Sequence, residues 1–387
     1  MTSFQTDRAY VSGIPPQVAF ATLIMALAIF GIPASTAHAQ TYTVIHAFSG
    51  GRDGEFPYAG VTLDAAGNIY GATQGGGIYH GGTVFEIDPS GQQIVLYDFQ
   101  ASPFQRAVSG PDGSLLRSAD GTLYGTTIYG GNPFTSGTAF ALSRSGRLKV
   151  WRNLPGEPFA GLIADPQGNL YGTTAGAIFE VTNNQVQTIY NFPNGAEVQC
   201  LAPLLRDASG NLYGTTEYGG IYNLGTVFKL DPSGNETVIH SFAGGMDGKY
   251  PTGGLIEDAF GNLYGTTGAG YISDGGTIFK VDPSGNETIL YGFTGGSGDG
   301  FIPTAGLTAD PQGNLYGTTI GVYGNVFKLD TAGKLTVLYR FMDGTDGGTP
   351  YAGVVRDQAG NLYGTTFYGG DLNCPRFGCG VVYKITP

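Results

Sequence analysis

Short runs of alternating apolar and polar residues, separated by turns of Gly, Pro, Asn and Asp, extend along the chain from residue 41 to residue 386. The runs are rich in aromatic and β-branched residues, and they are too short for helices, so each predicts a β-strand. Four kinds of run recur in a fixed order, as in residues 160–165 (AGLIAD), 168–174 (GNLYGTT), 225–231 (GTVFKLD) and 236–242 (ETVIHSF). The pattern therefore predicts a repeated unit of four antiparallel strands.

The second run marks the repeat most clearly, because a phrase close to GNLYGTT occurs seven times. Its copies begin at Gly67, Gly121, Gly168, Gly210, Gly261, Gly313 and Gly360. From Tyr70 in the first copy to Tyr363 in the last, the mean spacing is about 49 residues, which suits one propeller blade with its loops. We predict an all-β fold, a seven-bladed β-propeller with four-stranded blades.

Two families of tight turns should lie on one face of this propeller. The first has the form D-x-x-G-N and joins strands one and two, at Asp64, Asp165, Asp207, Asp258, Asp310 and Asp357. The second is DPSG and joins strands three and four, at Asp88, Asp231 and Asp282. The longer loops, from strand two to three and from strand four to the next blade, then share the opposite face, where binding residues are expected.

The order of strand types predicts how the ring closes. Residues Thr41 to Phe48 match the fourth strand of a unit, and the chain ends on a third strand, Gly380 to Thr386. We expect these two segments to pair, so that the N-terminal strand of the mature chain completes the last blade and leaves no open sheet edge.

The N-terminus has the layout of a signal peptide. An apolar run from Val18 to Ile32 follows Arg8, and the small residues end in the motif Ala37-His38-Ala39. The run is shorter than the roughly 20 residues that span a membrane. We therefore expect residues 1–39 to be removed, residues 40–387 to form one propeller domain, and the mature chain to have no membrane span.

The repeat wording, GNLYGTT followed by GTVFKLDPSGNET and then by a D-G-x-x-P loop, resembles the GloVer tandem repeat of exported bacterial proteins, some of them called choice-of-anchor GloVer-containing proteins. The resemblance covers the whole mature chain. It implies export, and it carries no established activity. Relatives commonly end in an anchoring tail, whereas this chain ends on a strand at Pro387, so we expect simple export, with the protein extracellular, on the cell surface or periplasmic.

The net charge of −12 excludes one class of partner. Nucleic-acid binding draws on clustered Lys and Arg, and the chain has no such cluster, so we expect no nucleic-acid partner. We expect a monomer that contacts an extracellular glycan or protein.

Three cysteines remain in an exported chain that meets oxidising conditions. Cys374 and Cys379 lie in one loop and are expected to form a disulfide, whereas Cys200 is interpreted as a buried free thiol.

Aspartates in the loops between blades are candidate ligands for a cation. Four of these loops share D-G-x-x-P, and their carboxylates are candidate Ca²⁺ ligands: Asp53, Asp247, Asp299 and Asp346, together with Asp343 beside Asp346. The alternative is that Asp-Gly makes a turn and Pro begins the next blade, which needs no ligand. We favour the turn, so no cofactor is required.

Aromatic side chains mark the loops between strands two and three. The candidate ligand-binding residues are Tyr79, His80, Tyr129, Tyr218, Tyr222, Tyr271, Tyr323 and Tyr368. They could stack on sugar rings, or they could pack as lids over the blades. His46 and His240 occupy a strand-four slot that is Tyr in other repeats, so we interpret them as repeat-filling residues.

No catalytic motif such as HExxH or GxSxG is present. We therefore favour an exported, non-enzymatic binding or surface-interaction propeller and assign no catalytic residue. One alternative is a carbohydrate-active lyase or hydrolase that uses loop carboxylates. Another is a structural component of the cell envelope.

Overall fold

Seven antiparallel sheets account for the strands of a computed structural model that describes residues 40–101, 108–131, 136–193, 202–295, 298–374 and 377–386. The sheets are the blades of a seven-bladed β-propeller, as the repeat predicts. The predicted signal peptide lies outside the described residues, as does Cys200. Within the described ranges, no helix is both long and apolar enough to cross a membrane.

The first three blades follow one another along the chain. Blade 1 comprises β2 (Thr62–Leu63), β3 (Ile69–Thr73), β4 (His80–Ile87) and β5 (Gln93–Gln100). Blade 2 comprises β6 (Ser109–Pro111), β7 (Leu116–Arg117), β8 (Leu123–Tyr129), β9 (Thr138–Leu142) and β10 (Leu148–Trp151), with β6 and β7 both paired to β8. Blade 3 comprises β11 (Ile163–Ala164), β12 (Leu170–Thr173), β13 (Ala177–Thr182) and β14 (Gln185–Asn191).

The next three blades repeat the same order. Blade 4 comprises β15 (Leu205–Arg206), β16 (Leu212–Thr216), β17 (Thr226–Leu230) and β18 (Glu236–Ser241). Blade 5 comprises β19 (Ile256–Glu257), β20 (Leu263–Thr267), β21 (Thr277–Val281) and β22 (Glu287–Gly292). Blade 6 comprises β23 (Thr308–Ala309), β24 (Leu315–Thr319), β25 (Asn325–Leu329) and β26 (Leu335–Arg340). Two short 3₁₀ turns, Gly245–Asp247 and Ile272–Asp274, lie in loops.

Blade 7 joins the two ends of the propeller. It comprises β27 (Val355–Arg356), β28 (Leu362–Thr366), β29 (Val381–Thr386) and β1 (Thr41–Ala47), and β1 pairs antiparallel with β29 from Thr41 opposite Thr386 to Ala47 opposite Val381. The predicted closure is therefore confirmed.

Aromatic residues build the core between blades. The Phe that follows strand four of one blade packs against an aromatic residue in strand three of the next. Phe242 and Phe279, for example, contact edge to face with 5.1 Å between ring centroids. Gly265 of the YGTT segment faces the same ring, and a Cβ there would lie 2.6 Å from Phe279. The repeated YG dipeptide thus makes room for the buried ring.

The innermost strands are shorter than the sequence predicts. Of the predicted strand from Ala160 to Asp165, only Ile163–Ala164 has strand pairing. The Ala160 carbonyl instead accepts a hydrogen bond from the Thr126 hydroxyl of the preceding blade. The first residues of the predicted innermost strand therefore bond to the neighbouring blade instead of pairing with a strand of their own blade.

Candidate functional site

The long loops lie together on one side of the propeller, which we call the loop face. Isolated β-bridges join the loop entering a blade to that blade's loop between strands two and three, pairing Glu55 with Gly75 and Lys249 with Ala269. Gly348 pairs with Tyr368 in the same way. These bridges hold the two predicted loop sets side by side.

The loop face carries most of the exposed apolar side chains of the described residues. In the described part of the chain, only three large exposed apolar residues lie elsewhere: Ile94 and Val238 on outer strands, and Phe260 in a tight turn on the opposite face. The others are Ile78, Tyr79, Ile221, Tyr222, Met246, Ile272, Val322, Tyr323, Met342, Leu372 and Phe377. Exposed apolar groups concentrated on one face are typical of an interaction surface.

The predicted aromatic residues divide into two groups. Tyr79, Tyr222 and Tyr323 lie at loop tips with 56%, 58% and 49% of their surface exposed. Each follows an exposed Ile or Val, so an aliphatic–tyrosine pair recurs in blades 1, 4 and 6. His80 is also exposed, with φ 58°.

The remaining four tyrosines of the predicted set, Tyr129, Tyr218, Tyr271 and Tyr368, are half-buried. Tyr218 contacts Tyr250 at 5.3 Å between ring centroids, and Tyr368 meets Phe367 edge to face at 4.8 Å. Tyr271 covers Gly292, where a Cβ would lie 2.2 Å from the tyrosine ring. These contacts favour the lid interpretation for Tyr218, Tyr271 and Tyr368.

The loop tip of blade 6 has unusual backbone geometry. Val322 and Tyr323 both have positive φ, 45° and 69°, a conformation that costs free energy, above all for a β-branched residue. A hydrogen bond of 2.7 Å from the Thr349 N–H to the Tyr323 carbonyl fixes the tip to the next loop. The tip is thus held with both side chains directed outward.

The four D-G-x-x-P aspartates cap their own loops. Asp299 accepts hydrogen bonds from the Thr294 N–H at 3.0 Å and the Tyr291 hydroxyl at 3.1 Å. Asp346 likewise accepts hydrogen bonds from the Met342 N–H and the Tyr339 hydroxyl. In the corresponding positions Asp53 meets His46 and Asp247 meets His240.

These contacts explain the strand-four slot that the sequence fills with Tyr or His. Either residue reaches the loop aspartate seven or eight positions later, at Oδ of Asp53, Asp247, Asp299 or Asp346. Burial opposes ionisation of Asp53, but hydrogen bonds from His46 and Ser49 keep the pKa of its carboxyl below the ordinary value. Turn formation therefore accounts for these carboxylates, and their binding of Ca²⁺ stays a prediction.

Asp343 is the exception among the predicted Ca²⁺ ligands. Its Oδ1 is buried and has no hydrogen-bond partner among the residues that the structure describes, and burial together with Asp346 raises the pKa of its carboxyl. Among the described residues, however, Asp247 is the one predicted ligand that belongs to a cluster of three potential metal ligands.

A cavity of about 280 Å³ opens along the channel between the inner segments. Its wall carries residues from the same position of six of the seven repeats, each directly after a Pro that begins the blade: Tyr58, Asp112, Phe159, Thr252, Thr304 and Tyr351. Tyr58 and Tyr351 stack at 4.7 Å. The wall is thus aromatic on one side and hydroxylated on the other.

Asp112 is the single acidic residue that lines this cavity within the described ranges. It is buried, and the Gln74 side-chain amide donates a hydrogen bond to its Oδ1. Burial raises the pKa of the Asp112 carboxyl to about 6, although the Gln74 contact favours the ionised form. Chemistry that requires two facing carboxylates has only one candidate here.

Cys374 and Cys379 form a disulfide within the last loop, with Cα atoms 5.7 Å apart. The pair is buried and packs with Phe48 and Phe85, so it fastens the last long loop to the junction between blades 7 and 1.

Asp112 and the aliphatic members of the tips are absent from the sequence-based candidates. Aligning P-D-G-S-L at Pro111 with P-Y-A-G-V at Pro57 would have revealed an acid in an aromatic slot. The Ile or Val before each tip Tyr carries no signal of exposure, because apolar residues in strand-rich sequence are expected to be buried.

Solved structures of similar fold are distant in sequence. The extracellular domain assigned to a hybrid two-component system of B. thetaiotaomicron is 14% identical, with a TM-score of 0.55 over 90% of this chain and 41% of that one. A gluconolactonase from Xanthomonas campestris is 16% identical, with a TM-score of 0.44 over 74% of this chain and 93% of that one. At such identity the likeness concerns the fold alone.

Comparison with curated proteins gives no match. The sequence model of the Gloeobacter/Verrucomicrobia repeat matches residues 28–192 and 174–377, which together span most of the chain. The chain belongs to the Gloeobacter/Verrucomicrobia, or GloVer, repeat family.

Proposed function

We propose that this chain is an exported, non-enzymatic binding propeller that contacts a macromolecular partner through its loop face. One observation carries the proposal: nearly all exposed large apolar side chains of the described residues lie on that face. The tips are spread over several blades, which suits a broad partner better than a small molecule enclosed in the channel.

The chemistry of the tips favours a protein partner over a glycan. Tyrosine and methionine are enriched at protein interfaces, and here Tyr79, Tyr222 and Tyr323 are joined by aliphatic neighbours and by the exposed Met246 and Met342. Sugar binding would draw on polar groups around each ring rather than on Ile or Val. The net charge of −12 further disfavours a strongly anionic partner.

Export supports an extracellular or envelope partner. The layout of residues 1–39, and membership of a repeat family found in exported proteins, are the grounds for this part of the proposal. The protein should accumulate outside the cytoplasm with Gln40 as its first residue, as read by mass spectrometry of the intact secreted chain.

Site-specific photo-crosslinking tests the proposed surface. A photoreactive phenylalanine analogue is placed at Tyr79, Tyr222 or Tyr323 in the organism that encodes the protein, and each variant is irradiated in culture. The control position is Phe260, which is 84% exposed on the opposite face. We expect a discrete protein adduct from the loop-face positions only; adducts of equal yield from position 260, or none from the tips, would contradict the proposal.

A second arm separates the alternative functions. Purified mature protein and its Y79S/Y222S/Y323S variant are applied to a glycan array and incubated with polysaccharides. Array binding that the triple variant loses would replace the protein partner with a glycan. Release of soluble sugar would identify a carbohydrate-active enzyme instead.

A further inference from the structure

The junction between blades 4 and 5 brings together three side chains that no turn requires as a set. His240 lies on β18, Asp247 in the loop that follows, and Glu287 at the start of β22 in the next blade. His240 Nε2 lies 3.0 Å from Asp247 Oδ1 and 3.8 Å from Glu287 Oε2. One potential ligand atom from each residue lies within 4.8 Å of the other two.

Glu287 distinguishes this cluster from an ordinary surface group of acids. Its side chain is only 9% exposed, and its Oε1 is buried without a hydrogen-bond partner among the described residues. Glu287 shares a hydrogen bond with Asp247, and a buried carboxyl is normally paired in this way or bound to a metal. Its second oxygen keeps no partner, although the side chain belongs to a cluster of potential metal ligands.

The same junction elsewhere in the ring is filled differently. Between blades 7 and 1, His46 and Asp53 repeat the His240–Asp247 contact, but Gln93 stands where β22 has Glu287. Between blades 6 and 7, Tyr42 stacks on Tyr339 at 3.7 Å in the equivalent position. The repeat thus needs neither the second carboxylate nor the three-residue set in order to fold.

We propose that His240, Asp247 and Glu287 bind one divalent transition-metal ion, with Zn²⁺ as the ion that best suits one imidazole and two carboxylates. For bonds of about 2.0 Å in tetrahedral geometry, ligand atoms should be separated by roughly 3.3 Å, so the three groups need only small shifts. The fourth position is left to water. His240 and Asp247 are partly exposed, which gives the ion a route of entry.

The mixed set of one imidazole and two carboxylates also discriminates between cations. The imidazole makes Ca²⁺ a poor alternative, since that cation prefers oxygen ligands.

Isothermal titration of the mature protein with ZnCl₂ tests the proposal, using protein freed of any histidine tag and carrying Cys200→Ser to remove the free thiol. At pH 7.5 we expect one Zn²⁺ per chain. The near-isosteric Glu287→Gln should lose this binding at least tenfold. Its melting temperature in EDTA reports whether it has kept the fold.

The sister junction provides a matched gain-of-function variant. Gln93→Glu places a carboxylate beside His46 and Asp53, and it should raise the stoichiometry from one ion to two. Co²⁺ absorption in the visible region, present in the parent protein and absent from Glu287→Gln, should confirm the ligand set. Failure of the parent protein to bind Zn²⁺, or equal binding by a folded Glu287→Gln variant, would overturn the proposal.

Discussion

At the scale of single residues, the repeat assigns most polar side chains to structural hydrogen bonds. Asp258 shows the pattern: its carboxylate accepts the N–H groups of Phe260 and Asn262 and the hydroxyl of Tyr264, each at 2.9 or 3.0 Å. Although burial opposes ionisation, these hydrogen bonds hold the pKa of Asp258 below its ordinary value. A residue that departs from its repeat position, such as Asp112 in a slot where the cavity wall is otherwise aromatic or Thr, is therefore the informative one.

Asp112 should make stability depend on pH. Because its pKa is raised to about 6 in the folded chain, from 3.8 in a model peptide, the folded state favours the protonated carboxyl. The stabilisation that comes from the protonated Asp112 carboxyl is complete below about pH 4 and is lost as the pH rises through about 6. Relative to Asp112→Asn, the wild type should lose about 2–3 kcal/mol of unfolding free energy over this range.

Urea unfolding of both proteins between pH 3.5 and 7.5 measures the difference. Asn at position 112 can still accept the hydrogen bond from Gln74, so the variant changes the charge with little change of shape. Parallel stability curves across this interval would show that Asp112 does not hold a raised pKa.

At the scale of strands, threonines join neighbouring blades. The first Thr of the YGTT segment donates its hydroxyl to a carbonyl at the start of the next blade's inner segment, as in the 3.0 Å bond from Thr266 to Ala305. The second bonds a Thr of its own blade, as where Thr267 and Thr277 lie 2.8 Å apart. The first Thr thus joins neighbouring blades, and the second joins two strands of one blade. Both roles explain why the TT pair recurs in most copies of the phrase.

Removing one of these hydroxyl groups should destabilise the ring. Thr266→Val keeps the side-chain shape and deletes the hydrogen bond to the buried Ala305 carbonyl, with an expected loss of about 1–2 kcal/mol. Thr237→Val, on an exposed outer strand, should change stability by less than about 0.5 kcal/mol. Guanidinium unfolding compares the two; equal effects would remove the proposed role of Thr266.

At this scale the sequence predicts strand order, turn chemistry and closure, because each depends on local residue types repeated many times. The sequence overestimates the length of the innermost strands. Ala160 and Gly161 have strand-like composition, but the Ala160 carbonyl bonds to the neighbouring blade, a contact visible only after the ring is assembled. The exposure of Ile78, Ile221 and Val322 is unpredictable for a similar reason, since it depends on where loops end in space.

At the scale of the whole molecule, closure by β1 holds the ring and therefore the loop face. Phe48, which follows β1, is fully buried, and its ring centroid lies 5.2 Å from that of Phe85 in blade 1. On the other side, Tyr42 of β1 stacks on Tyr339 of blade 6. The first strand thus contributes to both interfaces of blade 7. In stacked repeats stability depends on such neighbour interfaces, so losing this strand should weaken more than one blade.

Thermal unfolding of the mature chain, compared with a variant that lacks residues 40–48, tests this closure most directly. Truncating one buried Phe costs about 3–5 kcal/mol, and the deletion also removes Tyr42 and uncovers the edge of β29. We expect the melting temperature to fall by more than about 10 °C, with a broader transition. An unchanged, equally sharp transition would contradict a propeller closed by its first strand.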